Sequence, residues 1–101
     1  MRKIVVTYPP QPDLDAFEKR FLDVHLPLLR LLPGLARLEC SRIKTAPETP
    51  NPAVYMVESY FPDKDTLRAA LKSAEMGACV EDVKANIPGG NTVYLSEDIQ
   101  E

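Results

Sequence analysis

His25 is the only histidine in this 101-residue sequence, and its side-chain type alone has an unperturbed pKa close to neutrality. Such an imidazole takes a proton from a phenol or an activated C–H and returns it. Phe17, Phe21 and His25 recur every four residues, which lays them along one helix face. Pro27 follows. Proline removes a backbone donor and crowds the preceding turn, so a kink is expected near His25 that opens the local packing. The competing reading is a core histidine hydrogen-bonded to a backbone carbonyl.

Further positions join His25 as candidates. Tyr8 ends the first apolar stretch, and Tyr55 and Tyr60 lie in the stretch from Val54 to Phe61. A phenol orients a substrate oxygen or stacks on a ring, or it simply packs. Tyr55 and Tyr60 have opposite parity on a strand, so at most one of them lines a pocket under the helices. Ser59 shares a face with Tyr55 and Phe61, and its small size leaves room for a ligand. Phe17 and Phe21 are expected as apolar wall. Glu58, a charge inside an apolar strand, is expected to pair across a dimer with Arg42 or Arg37. Glu75, Glu81, Asp82 and Lys84 read as a solvated helix face. The pair Gly89-Gly90 lacks the G-x-G-x-x-G spacing of a phosphate loop. No Ser/His/Asp or Cys/His constellation can be assembled by sequence logic.

Composition narrows the function classes. Hydrophobic residues make up 45% and charged residues 27%, with a net charge of -3. That is a globular balance with nothing to attract a phosphate backbone, so nucleic acid is not an expected partner. No apolar run approaches the roughly 18 residues of a membrane span, and the short apolar stretch in Met1–Tyr8 speaks against a signal peptide. Two cysteines and one histidine fall short of the four ligands of a structural zinc site. Cys40 and Cys79 are expected reduced and buried in a cytoplasmic protein.

The elements that must position these residues follow from periodicity and punctuation. Strands are expected at about 3–8, 36–45, 53–61 and 91–96, each β-branched or aromatic and bounded by Pro or Gly. A helix starts near Asp13 or Asp15, with Glu18 three residues after Asp15 in a capping-box spacing, and stops at Pro33-Gly34. A second helical region is capped by Asp63 and, after Leu71, again by Ser73. The order β-α-β-β-α-β predicts a ferredoxin-like plait, a four-stranded antiparallel sheet with helices on one face. In that plait the first and third strands are central, and here both are apolar on both parities. A sheet with one wet face shows polar alternation there, so a second copy of the chain is expected to cover it.

The segment Phe17 to Gly34, FEKRFLDVHLPLLRLLPG, resembles the EthD-like family of dimeric α+β barrel proteins. Phe17, Phe21, His25, Pro27, Leu28 and Leu32-Pro33-Gly34 carry the match. The opening strand before Pro9-Pro10 and the aromatic third strand running into Phe61 and Asp63 are similar too. The resemblance implies that residues 1–101 form a single such domain. It implies a homodimer with facing sheets and a small pocket between sheet and helices. The family often has Tyr or Trp where this chain has Phe21. Its name comes from an ether-degradation operon. Fungal relatives include dehydratases and decarboxylases of phenolic polyketides, and neighbouring families include quinone-forming monooxygenases, lactone isomerases and haem-degrading enzymes.

The resulting expectation is a cofactor-independent protein for a small apolar or aromatic metabolite. His25 would move a proton in isomerisation, dehydration, decarboxylation or cofactorless oxidation, with Tyr8, Phe17, Phe21, Tyr55 and Ser59 around the substrate. The alternatives are a non-catalytic accessory or binding protein for an oxidative pathway, and haem binding through His25.

Overall fold

The computed structural model describes residues 1–99. β1 (Arg2–Tyr8) is a β-branched run ended by Pro9 and Pro10. Asp13, not Asp15, caps α1 (Leu14–Arg20), accepting the Ala16 N–H at 3.1 Å, and so satisfies a donor that the first helical turn leaves free. Asp15 stands within that first turn, where a carboxylate faces the positive end of the helix dipole.

The expected kink takes the form of a widened turn. α1 passes without a break into a π-helical turn, Phe21–His25, and then into α2 (Leu26–Leu29). Pro27 has no N–H to offer the Asp23 carbonyl four residues earlier. Just ahead of it the ladder slips by one residue, so that the Leu26 N–H bonds to the Phe21 carbonyl. Pro27 itself sits in the first turn of α2, where its fixed φ suits the helical backbone. The helix tapers in bonds from Leu31 to Leu28 and from Leu32 to Leu29 and ends at Gly34, φ 76°.

β2 (Arg37–Arg42) is shorter than expected, since one further bond from Ile43 to Val54 closes the pairing before the proline-rich loop. β3 (Tyr55–Phe61) leads to α3 (Lys64–Leu71) and α4 (Ala74–Asn86), capped by Asp63 and Ser73 as expected. β4 (Thr92–Glu97) completes an antiparallel sheet of order β2-β3-β1-β4, the ferredoxin-like plait.

Register decides which side chains meet the helices. Tyr8 stands opposite Tyr55, Val6 opposite Val57 and Ile4 opposite Ser59. These six, with Phe61, form the buried parity. The other parity is only half-buried in one protomer. It carries Val5 and Met56, half-buried, and the more exposed Tyr94 alongside a charged cluster. There Glu58 accepts from Lys3 at 2.8 Å and from the Tyr60 hydroxyl at 3.3 Å, while the Arg37 guanidinium lies 4.1 Å over the Tyr60 ring. Within one protomer Glu58 pairs with Lys3, while Arg42 and Arg37, its expected partners across a dimer, face other carboxylates. Arg42 has the opposite parity and pairs with Glu18 of α1, and Arg37 lies near Glu39. Cys79 is buried as expected, but Cys40 is exposed because β2 is an edge strand.

Gly34 carries the joint between α2 and β2. Its φ is left-handed, and a Cβ there would overlap the Thr66 Cγ2. Gly34→Ala should destabilise the fold by about 1–3 kcal/mol. In the Thr66→Ser background the loss should shrink without vanishing, because the clash goes and the backbone strain stays. Thermal melts of the four proteins measure both parts, and a Gly34→Ala melt equal to wild type would refute the account.

Candidate functional site

His25 is held at both ring nitrogens. Nδ1 lies 2.9 Å from Asp82 Oδ2 on α4, and Nε2 lies 3.0 Å from the Tyr8 hydroxyl on β1. Asp82 takes a bidentate pair from Arg20 of α1 at 2.7 and 3.2 Å, and Asn86 donates to it at 3.0 Å. An ionised carboxylate only accepts, so Nδ1 carries the proton. Nε2 of the neutral ring then accepts, and Tyr8 donates to it. The slipped π turn brings Phe21 and His25 both inward, 2% and 1% exposed.

Each pKa in the line has a cause. Burial lowers that of His25, disfavouring imidazolium, and Arg20 adds to this from a distance; Asp82 works against both. The Arg20 guanidinium holds Asp82 down at about 2, with His25 and Asn86 helping. Burial raises the Tyr8 phenol well above the usual tyrosine range, opposed by Asn91. The resting arrangement is therefore carboxylate, neutral imidazole, neutral phenol.

Two cavities meet at His25. The larger, about 750 Å³, lies between the sheet and α2 and α4, and Tyr8, His25 and Ser59 border it together with apolar side chains. The smaller, about 310 Å³, lies along α1 and is bordered by Phe17, Arg20, Phe21 and His25. His25, Ile87 and Pro88 wall both. The expected site residues are thus divided. Tyr8, His25 and Ser59 share one cavity. Phe17 and Phe21 wall the other, contrary to a single pocket. Tyr55 borders neither: its ring packs 5.2 Å from Phe17 and 5.9 Å from Phe21, and its hydroxyl donates to Glu18 at 2.7 Å. The tether is firm because Arg42, with help from Tyr55, holds the Glu18 carboxyl at about 2.

Asp82 is the largest correction to the sequence reading. In place of a solvated face it is 8% exposed, with its carboxylate on His25. The available signal was phase: Cys79, Asp82 and Asn86 fall at steps of three and four beside the apolar stripe ending at Val83 and Ile87. Arg20, one residue before the π turn, gave no signal of its own.

No family model matches the chain. A curated relative from Rhodococcus erythropolis, described as an uncharacterized 11.0 kDa protein in the thcB-thcC intergenic region, is 24% identical and covers 97% of this chain and 95% of its own. An ethyl tert-butyl ether degradation (EthD) family protein from Bacillus halodurans C-125 superposes with TM-score 0.85 at 27% identity, over 98% of this chain and 99% of its own. A dimeric ferredoxin-like protein of unknown function from Jannaschia sp. CCS1 gives TM-score 0.69 at 18% identity, over 96% and 98%. SnoaB, a cofactor-independent oxygenase from Streptomyces nogalater, seen as a point mutant, gives 0.68 at 17%, over 99% and 94%. The last two matches speak to the fold alone. Fold and topology define a ferredoxin-like α+β protein. In length, sequence and fold the chain resembles the EthD family protein from Bacillus.

The lowered folded pKa of Asp82 contributes stability that is complete above the ordinary carboxylate range and is lost as pH falls toward 2. Asp82→Asn should cost about 1–3 kcal/mol at neutral pH. The difference from wild type should narrow as pH falls from about 4, the ordinary Asp value, toward 2. The lowered pKa of His25 acts in the same sense: its contribution is complete above about 6.5 and is lost as pH falls. By NMR the imidazole should titrate below about 6.5 in wild type and lower still in Asp82→Asn. Titration above that value in wild type would show that Asp82 outweighs burial.

Proposed function

We propose that the protein binds a small apolar or aromatic metabolite in the larger cavity and moves a proton on it without a cofactor, with His25 as the base. One observation carries the reading. A line of hydrogen bonds runs from Arg20 through Asp82 and His25 to the Tyr8 hydroxyl, and both Tyr8 and His25 border the cavity. A substrate O–H or activated C–H placed at Tyr8 gives its proton to the phenol oxygen as the phenol proton passes to Nε2. The products are a substrate anion, a neutral Tyr8 and an imidazolium facing the Asp82 carboxylate. Burial makes a lasting Tyr8 phenolate unfavourable, so the phenol passes the proton on. The apolar walls exclude water, which strengthens these charges. Isomerisation, dehydration and cofactorless oxidation can begin with such a step, as can decarboxylation of a phenolic acid through loss of its phenol proton. The fold shared with a cofactor-independent oxygenase is compatible with the last.

One observation favours a second reading, a binding protein that shelters a metabolite for a partner enzyme. Both nitrogens of His25 are already bonded to protein, as in a structural pin. Haem ligation is the weakest alternative, since iron would have to displace Tyr8 from Nε2. The sheet face that carries half-buried Val5 and Met56 and exposed Tyr94, and the dimeric ferredoxin-like protein from Jannaschia, support a homodimer with facing sheets. No helix among the described residues is long and apolar enough to cross a membrane. The two free thiols, Cys40 and Cys79, fit a reducing compartment and so support a cytoplasmic location.

Phenols and carbonyl compounds that raise the melting temperature would be tested for turnover in chelated, cofactor-free buffer. His25→Ala should lose about 10²-fold or more in protein that still folds, with only a moderate fall in melting temperature. Tyr8→Phe should lose less, since Nε2 then faces the cavity directly. If His25→Ala turns over like wild type but melts far lower, the structural-pin reading replaces catalysis.

In sedimentation the chain should be a dimer at micromolar concentration, burying well over about 1,000 Å². A stable monomer would remove the dimer from the proposal.

A further inference from the structure

The larger cavity has a second polar point. Ser59 is 2% exposed and borders the cavity between the buried Val57 and Phe61 of β3. Among the described residues no hydrogen bond holds its hydroxyl, and the oxygen is not sealed in packing but opens on the cavity. A hydroxyl facing an apolar cavity without a partner is unfavourable, and a strand that is otherwise Val and aromatic on this face could have carried valine. Ser59 stands opposite Ile4, and Tyr8 opposite Tyr55. Four residues of strand therefore separate Ser59 from Tyr8, about 13 Å at about 3.3 Å per residue. The wall between them is apolar, with Val6 below and Leu29, Leu32 and Val83 above.

We infer that Ser59 is the far anchor of this cavity: it bonds a distal oxygen of an elongated ligand whose near oxygen meets Tyr8, with an apolar body between. This rests on the reading of the cavity as the metabolite site and adds the substrate class, a long apolar molecule oxygenated at both ends. Its oxygens stand roughly 10 Å or more apart, given the strand separation and the reach of the side chains. A short phenol fills only the Tyr8 end and leaves Ser59 unpaired.

Two fluorescent probes separate the claims: trans-4-hydroxystilbene, with one hydroxyl, and trans-4,4′-dihydroxystilbene, with a second at the far end. Wild type should bind the diol about three- to tenfold more tightly, the worth of one neutral hydrogen bond. Ser59→Ala should erase that advantage, leave the affinity for the single phenol unchanged and not lower Tm. Ser59→Cys, which keeps the bulk but donates weakly, should behave like Ser59→Ala. Tyr8→Phe should weaken both probes alike. Equal binding of the two probes by wild type overturns the role of Ser59 and leaves the cavity reading standing. A diol advantage that survives in both Ser59 variants also overturns it, as does a large fall in Tm in Ser59→Ala, which marks a structural hydroxyl. Failure of both probes to bind overturns the cavity reading and this inference together.

Discussion

The carboxylate of Asp82 reaches His25 from a helix 57 residues further along the chain, and the interior is organised around that contact. An imidazole this deeply buried needs partners for both nitrogens, or it leaves a polar atom stranded in an apolar core. A carboxylate so little exposed needs a cation. Arg20 meets the second need and Asp82 and Tyr8 the first, so three elements, the first helix, α4 and β1, are tied at one point. No side-chain nitrogen or oxygen sealed inside the described residues is left without a partner. Arg20 is itself 37% exposed along its side chain, so the line of charge runs from the surface inward and no full ion pair is sealed inside. That spares most of the desolvation cost of a wholly buried pair.

The π turn makes this geometry possible. In an unbroken α-helix Arg20 and His25 are five residues apart, about 500° at about 100° per residue, and so point some ~140° away from each other. One slipped residue widens the turn and brings both side chains to the same carboxylate, while Phe21 and His25 stay on the inner face. The slip is specified by Pro27, which has no N–H to maintain the tighter ladder. A proline that would break a helix elsewhere here lets Arg20 and His25 share one carboxylate. π-helical turns of this kind occur often at functional positions.

Much of this was legible in the sequence because it rests on local periodicity. The four strands, the caps at Asp63 and Ser73, the stop at Gly34 and the inward phase of Phe17, Phe21 and His25 all follow from side-chain spacing. The partners of His25 were not legible, because they come from long-range register. Tyr8 meets Nε2 only once β1 lies beneath the first helix, and Asp82 meets Nδ1 only once α4 packs beside it. Asp82 looked solvated because it lies next to Glu81 in a charged stretch; one residue of helical phase separates the exposed carboxylate from the buried one. Tyr55 failed as a pocket residue for a similar reason. Its parity was right, but Glu18 holds its hydroxyl and Phe17 and Phe21 cover its ring, so the space it was expected to border is filled.

Any proton that His25 takes must also leave. A base sealed against one substrate pocket returns its proton to that same ligand or passes it to solvent by another route. On the proposed reading the smaller cleft offers such a route. It touches His25 from the side of α1 and runs beside Arg20, with Asn86 at its edge. Gln11 pins its rim by donating to the carbonyls of Pro9 at 3.0 Å and Pro88 at 3.1 Å, which fixes the loops after β1 and α4 against each other. Phe17 and Phe21, expected to shield substrate, instead narrow this outer path. They make one side of the cleft apolar, so water that enters it finds polar partners on the other side chains that line it, Gln11, Asp13, Arg20, Asn86 and the imidazole. On the proposed reading the aromatic pair thus serves proton chemistry by limiting where water stands, while the substrate-facing wall is left to Tyr8, Ser59 and the aliphatic side chains of α2 and α4.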